Sequence, residues 1–401
     1  MSGFAKRLWA GACLAAAFAA HASAPGPGDG AARDARPPAA VAVRASVSDS
    51  ADGVVAAVRL PGSARMRGGL DSLDAVRTIA TIAGSQRPKR ARRVARFVRP
   101  PFLREGDSVG LVAISSKTDS ARMKHYLAAV DTVRSWGLRV RLAAHLFDRS
   151  GGWFASADSV RAQELQQMLE NPHLRAVLFF RGGYGAVRVL DRIDLGAVLR
   201  DPKWLVGFSD LTTVHYALHK AGIESIHGTM PSNFRTGPAE RDTSALWLRE
   251  ALFGRVGGYV SAPHPFNRPG EAQGRLSGGN LSVVSAMNGM PEDNDFSEPT
   301  ILLIEDVGES IHHIDRMLRT LLRSGRLERI AGLVVGDFTH IRGEKQWGSS
   351  VYELISEYAG TLDIPVLFGF PAGHGRLNAA LYMGREVRLT VSEEGGELRF
   401  L

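Results

Sequence analysis

From Val109 onward, short apolar runs alternate with stretches in which apolar residues recur every three or four positions. Short runs predict buried strands, and the wider spacing predicts amphipathic helices. On this reading Val109–Ile114, Leu138–Ala143, Ala176–Phe180 and Trp204–Phe208 are strands. Ser120–Trp136, Ser156–Leu169, Ala186–Ile193 and Asp210–Ala221 are the helices that follow them. Gly137 and Pro172 mark two helix ends, because glycine terminates a helix readily and proline cannot continue one. Strand–helix alternation at this spacing builds parallel β-α-β units, hence an α/β fold with a doubly wound, mostly parallel sheet.

The alternation lapses over residues 228–270, where glycine and proline accumulate, and then resumes. Ile301–Asp306, Leu333–Phe338 and Val366–Phe370 read as strands, with helices at Ile311–Arg323 and Val351–Tyr358. Glu386–Val391 and Glu397–Leu401 flank the turn Ser392–Gly396 and predict a closing hairpin. The expected organisation is an N-terminal α/β domain over 98–240, a linker over 241–270, and a smaller, mixed, β-rich domain over 271–401. No internal repeat is evident.

Ahead of residue 98 the pattern is different. Residues 25–97 are rich in Ala, Arg, Gly, Pro and Asp, a composition that predicts a loosely ordered extension with one short helix over Ser72–Ile82. Residues 1–24 read as a signal peptide: Lys6 and Arg7, an apolar stretch from Leu8 to Ala20, then Ala22-Ser23-Ala24. That stretch is shorter than the roughly 20 residues of a spanning helix. A periplasmic or secreted location is expected. Cys13, the single cysteine, lies inside this segment, so the rest of the chain has no disulfide and no cysteine-held metal. A lipid anchor on Cys13 is the weaker reading, since the leucine of such sites is missing.

Composition adds one point. The formal charge is +8, which suggests nucleic acid until it is located. Seven Lys/Arg and no acid lie between Arg87 and Arg99, leaving +1 for the remainder. The basic character belongs to an arm, read either as a solvated linker or as a contact for an anionic wall polymer or membrane surface. Nucleic acid is not an expected partner.

In parallel α/β sheets, sites form at the carboxyl ends of strands. Four such ends carry unusual residues. Arg181-Gly182-Gly183-Tyr184-Gly185 is either a tight turn or an anion cradle, but it matches neither dinucleotide nor P-loop spacing. Gly207-Phe208-Ser209-Asp210 puts a serine where strand meets helix, as an N-cap or as a nucleophile that would need a base. Glu305 ends an apolar run, while Asp306 and Glu309 could cap the next helix. His374, between Gly373 and Gly375, is the one histidine at a strand end in this company, with His227 and His215 as competitors. The histidines lack metal-site spacing, and the adjacent His312 and His313 point apart on a helix, so neither metal nor cofactor is expected.

In order along the chain, Arg181–Gly185, Gly207–Thr212, His227-Gly228-Thr229-Met230, Ser277–Leu281, Ile304–Glu309 and Gly373-His374-Gly375 resemble the LD-carboxypeptidases, a serine peptidase family that includes the microcin-C immunity peptidases. The resemblance spans roughly residues 100–401. It implies a Ser–Glu–His triad of Ser209, Glu305 and His374, with backbone N–H groups of Gly183 and Asp210 as the oxyanion hole. It implies an N-terminal α/β domain that carries Ser209 and a smaller C-terminal domain that carries Glu305 and His374, with the site in the cleft between them. It also implies a murein tetrapeptide substrate from which the terminal D-alanine is removed. Arg181, Tyr184 and Asn280 are the candidates for substrate contacts, and a homodimer is the expected assembly. Two features depart from the family: the signal peptide, and Thr229 where proline is common. A peptidyl-nucleotide substrate, for which Trp153 or Trp347 could supply an aromatic platform, and a non-catalytic wall-peptide binding protein are the alternatives.

Overall fold

The computed structural model describes residues 44–50, 53–59, 97–148, 150–235 and 242–401. The expected signal peptide, most of the basic arm and the expected helix over Ser72–Ile82 lie outside these residues. The chain divides into two compact units, Met1–Arg90 and Ala91–Leu401. In the first, β1 (Arg44–Ser50) and β2 (Gly53–Arg59) pair antiparallel from Arg44↔Arg59 to Ser50↔Gly53. This hairpin lies within residues 25–97, where composition predicts a loosely ordered extension.

The second unit starts with the predicted alternation. β3 (Ser108–Val112), α1 (Met123–Ser135), β4 (Arg139–Leu142), α2 (Asp158–Glu170), β5 (Leu174–Phe179), α3 (Val187–Leu190), α4 (Gly196–Arg200), β6 (Trp204–Gly207), α5 (Thr212–Ala221) and β7 (Ser225–His227) follow in order. These strands form one sheet in the order β7-β6-β5-β3-β4, all parallel. The chain moves from β3 to β4 on one side and then crosses to β5, β6 and β7 on the other. The switch point lies between β3 and β5, where open α/β sheets hold ligands.

Next come α6 (Thr243–Leu252), β8 (Gly258–Ser261), β9 (Gly270–Asn280), α7 (Leu281–Ala286), β10 (Thr300–Val307), α8 (Ile311–Arg323), β11 (Gly332–Thr339), α9 (Glu344–Trp347), α10 (Val351–Gly360) and β12 (Val366–Leu367). β13 (Leu381–Met383), β14 (Glu386–Ser392) and β15 (Gly395–Phe400) close the chain. The second sheet has the order β12-β11-β10-β9-β14-β15-β8, parallel from β12 to β9 and antiparallel beyond. The α/β fold class is as expected.

The 241–270 stretch holds α6, capped by the Asp242 carboxylate accepting from the Ala245 N–H, and edge strand β8. Its glycines and prolines sit between these elements rather than dissolving them. β9 carries no apolar alternation, yet its backbone pairs with β10 on one side and β14 on the other. Helix α8 shows the expected period, burying Ile311, Ile314, Leu318 and Leu321. β14 alternates just as clearly, with Val387, Leu389 and Val391 inward. β13 returns from the C-terminal part of the chain to pair antiparallel with β7 at the edge of the first sheet. The loop that contains His374 therefore starts beside the second sheet and ends on the first.

Candidate active site

The joint after β6 is an elbow. Phe208 is fully extended, and Ser209 then takes a left-handed φ of 63° before the 3-10 turn Ser209–Leu211 and α5. A side chain at positive φ costs about 1–3 kcal/mol and persists where the surroundings over-determine it. Here the Gly207 carbonyl accepts from the Gly228 N–H at 3.1 Å and lies 2.9 Å from His215 Nε2, which fixes the strand end. Ser209 is thus held up at the end of the strand, beside the first N–H groups of a helix.

His374 reaches this serine from the β12–β13 loop. Its Nε2 lies 3.0 Å from Ser209 Oγ and its Nδ1 lies 2.7 Å from Glu305 Oε2. A carboxylate can only accept, so Nδ1 carries the proton and Nε2 is left to accept the serine hydroxyl. The ring also packs on Phe208 at 4.9 Å. The loop is tied down by Asn378, whose Oδ1 accepts from the Gly373 N–H, and whose own N–H donates to Ser244 Oγ.

Glu305 is fully buried near the end of β10. Register against β11 shifts between Ile304 and Asp306, so Glu305 faces the two residues Gly336 and Asp337. The extra residue is on β11, whose local bend opens space at this point, while β10 keeps its register with β9 through Glu305↔Asn280. Burial raises the Glu305 pKa, and the hydrogen bond from His374 offsets part of the rise. Burial alone would lower the His374 pKa; the hydrogen bond and charge of Glu305, with smaller help from Asp306 and Asp337, outweigh it and raise the value. Among the described residues Glu305 Oε1 has no hydrogen-bond partner.

Asp306 turns away from His374, and it does not cap α8, which has no side-chain cap. Its carboxylate accepts from Asn280 Nδ2 at 3.1 Å, Ser282 N at 2.9 Å and Ser282 Oγ at 2.6 Å, and so caps α7. Asn280 shares that work: its Oδ1 accepts from the Val283 N–H, and its own N–H donates to Thr212 Oγ1 on α5. Glu309 faces His313 Nδ1 at 3.0 Å. His227 is fully buried 3.2 Å from Asn378 Oδ1, and burial drives its pKa down to about 3. His215 is likewise pushed down to about 4. Both competitors of His374 are neutral packing groups.

The glycine loop after β5 lies against the elbow. A Cβ on Gly182 would sit 3.5 Å from Ser209 Cβ, and one on Gly183, at φ 111°, would sit 2.3 Å from Ser116 Oγ. Ser116 Oγ accepts from the Tyr184 N–H, and Asp210 Oδ2 accepts from the Ala186 N–H at 2.8 Å and Ser115 Oγ at 2.6 Å. The Asp210 carboxylate thus clamps elbow, glycine loop and the end of β3 together, a role its position alone did not announce. Asp210 N–H belongs to the first turn of a helix, where backbone donors have no intrahelical acceptor. Arg181 is half-buried, while Tyr184 is exposed with its ring beside Phe154.

The sequence reading missed Asp337. Its carboxylate packs against Gly375: a Cβ there would lie 2.2 Å from Oδ2. Burial raises its pKa to about 6, against stabilisation from the Gly375 backbone. The available signal was an acid closing the apolar run of β11, the same signal that pointed to Glu305.

Residues 109–228 match the LD-carboxypeptidase N-terminal domain and residues 273–389 the LD-carboxypeptidase C-terminal domain. The chain belongs to the LD-carboxypeptidase family. It is accordingly a hydrolase with carboxypeptidase activity. It is 35% identical over 308 residues to slr1534 of Synechocystis sp., which carries a carboxypeptidase name; the match covers 76% of this chain and 98% of that protein. It is 28% identical to the murein tetrapeptide carboxypeptidase of Pseudomonas aeruginosa, over 73% of this chain and 95% of that one. The crystal structure of muramoyltetrapeptide carboxypeptidase from Oxalobacter formigenes superposes with a TM-score of 0.67 at 26% identity, covering 73% of this chain and 98% of that one.

Proposed function

We propose that this carboxypeptidase is a serine enzyme that removes the terminal D-alanine from a murein tetrapeptide through an acyl-enzyme. The observation that carries the proposal is the continuous chain Ser209–His374–Glu305, with contacts of 3.0 and 2.7 Å. Ser209 Oγ attacks the scissile carbonyl while His374 Nε2 takes its proton. His374 then gives that proton to the leaving amine, and water completes the cycle by the same route. Glu305 holds the ring tautomer and stabilises its charged form. The Gly183 and Asp210 N–H groups receive the oxyanion; losing one donor of this kind costs on the order of 10²–10³ in kcat. Murein peptide names among the relatives support the substrate class. The residues of Met1–Ala24 support export, and N-terminal sequencing of the protein from periplasm and medium tests it: retention of Met1 there would sink it.

The deciding experiment is mass spectrometry of the chain incubated with a murein tetrapeptide. Loss of one alanine is expected, abolished by Ser209→Ala and unchanged by EDTA. An intact peptide, or activity that survives Ser209→Ala, would overturn the mechanism.

A further inference from the structure

A cavity of about 900 Å³ opens beside the glycine loop, lined by Ser116, Lys117, Thr118, Asp119, Trp153 and Arg181 among others. It sits at the carboxyl ends of β3 and β5, the switch point of the first sheet, where the topology favours a ligand. It is one loop away from the nucleophile: Gly182, next to Arg181, accepts from the Ser116 N–H through its carbonyl, and its Cα packs toward Ser209. Its walls are tied together, since the Lys117 N–H donates to the Trp153 carbonyl at 3.2 Å and Ser116 bridges to Phe154.

The charge on these walls is uncommitted. Among the described residues, neither the Lys117 ammonium nor the Arg181 guanidinium has an ion pair or hydrogen bond. The one acid on the wall, Asp119, caps the following turn by accepting from the Ala121 N–H at 3.0 Å. Trp153 stands 69% exposed, a large apolar face with nothing packed over it. Two free cations beside an open indole suit an anion carried on an aliphatic or sugar-bearing frame. Arginine binds a carboxylate in a planar fork, and lysine adds a point charge.

We propose that this cavity is the subsite for the acyl side of the stem peptide, and that Lys117 and Arg181 recognise a carboxylate there, remote from the scissile bond. The inference rests on the peptidase reading above and names the part of the substrate held. Size decides the side: the leaving group is a single alanine, whereas this volume lies within the roughly 300–1,000 Å³ of pockets that engulf whole ligands. In a stem whose glutamate is linked through its side-chain carboxyl, the α-carboxylate stays free and is the group available for the pair.

The test is binding to the full chain carrying Ser209→Ala, measured by calorimetry with two tetrapeptides, one with a free glutamate α-carboxylate and one with that carboxylate amidated. Amidation is expected to weaken binding about 10- to 100-fold, the worth of a charge-assisted hydrogen bond. With Arg181→Gln or Lys117→Met added, the two peptides should bind within about twofold of each other. Lys124→Met, an exposed lysine outside the lining, should keep the difference. Neither variant removes a partner from another group, and unchanged melting temperatures check the fold. An amidation penalty that is absent, or is equal in all backgrounds, overturns the subsite. Alanine release by the wild-type chain is scored separately, so failure of the reaction and failure of the subsite are distinguishable.

Discussion

Ser209 keeps a left-handed backbone that few side chains adopt, and on the proposed mechanism the groups around His374 set the pH at which its hydroxyl is activated. A base must be neutral to take a proton. Because Glu305, aided by Asp337, raises the His374 pKa above its ordinary 6.5, the acid limb of kcat/KM is expected above pH 6.5. Asp337, with its own pKa near 6, is charged over that range. Asp337→Asn keeps the packing against Gly375 and removes the charge, so the limb should move to lower pH with kcat at high pH within about threefold of wild type. A pH–rate profile of both proteins checks this; an unmoved limb would mean that Asp337 does not act on His374.

At the scale of elements, the site depends on a bulge and a close approach. β11 carries one extra residue opposite Glu305, and Gly336 within that bulge leaves the acid room: a Cβ on Gly336 would meet the Ala372 carbonyl at 2.3 Å and Glu305 Cβ at 3.3 Å. The carbonyl is backbone two residues before His374, so it cannot step aside alone. Gly336→Ala should cost about 1–3 kcal/mol of stability, as overpacking does, and lower kcat at least tenfold by parting His374 from Glu305. Thermal melts and steady-state rates test the two effects, and a variant with wild-type kcat would show that the loop adapts. A second approach joins the sheets: a Cβ on Gly279 at the end of β9 would lie 2.6 Å from Thr212 Oγ1 on α5, the helix after Ser209.

Across the whole of residues 97–401, β13 and a buried ion pair hold the His374 loop's far end. Arg385, just after β13, donates through Nε to Glu224 at 2.9 Å, and both side chains are 5% exposed. Its guanidinium also stacks over Tyr382 at 3.6 Å. Glu224 stands immediately before β7, so the pair pins the returning strand to the first sheet. Glu224→Gln removes one charge and leaves the other buried, which costs about 3–5 kcal/mol when a buried pair is broken. A melting temperature lowered by less than the equivalent of about 1 kcal/mol would show the pair to be dispensable.

Periodicity by itself determined the parallel β-α-β core, helix α8 and the closing hairpin, because burial on one face writes a repeat of two or 3.6 into the residues. Strand-end position, with the resemblance to the family, named Ser209, Glu305 and His374, which the fold brings into contact. β9 left no such mark, since it is held by pairing on both edges rather than by an apolar face; helix α6 carries a period in Ala245, Leu248 and Leu252, but over ten residues set among glycines and prolines. Tertiary structure alone decided that β13 joins the first sheet, that Glu305 and not Asp306 turns to His374, that His227 and His215 are packing groups, and that Asp337 stands behind His374. Each of these depends on which neighbours desolvate or hydrogen-bond a group. Those neighbours lie up to 165 residues away, beyond the reach of any local pattern.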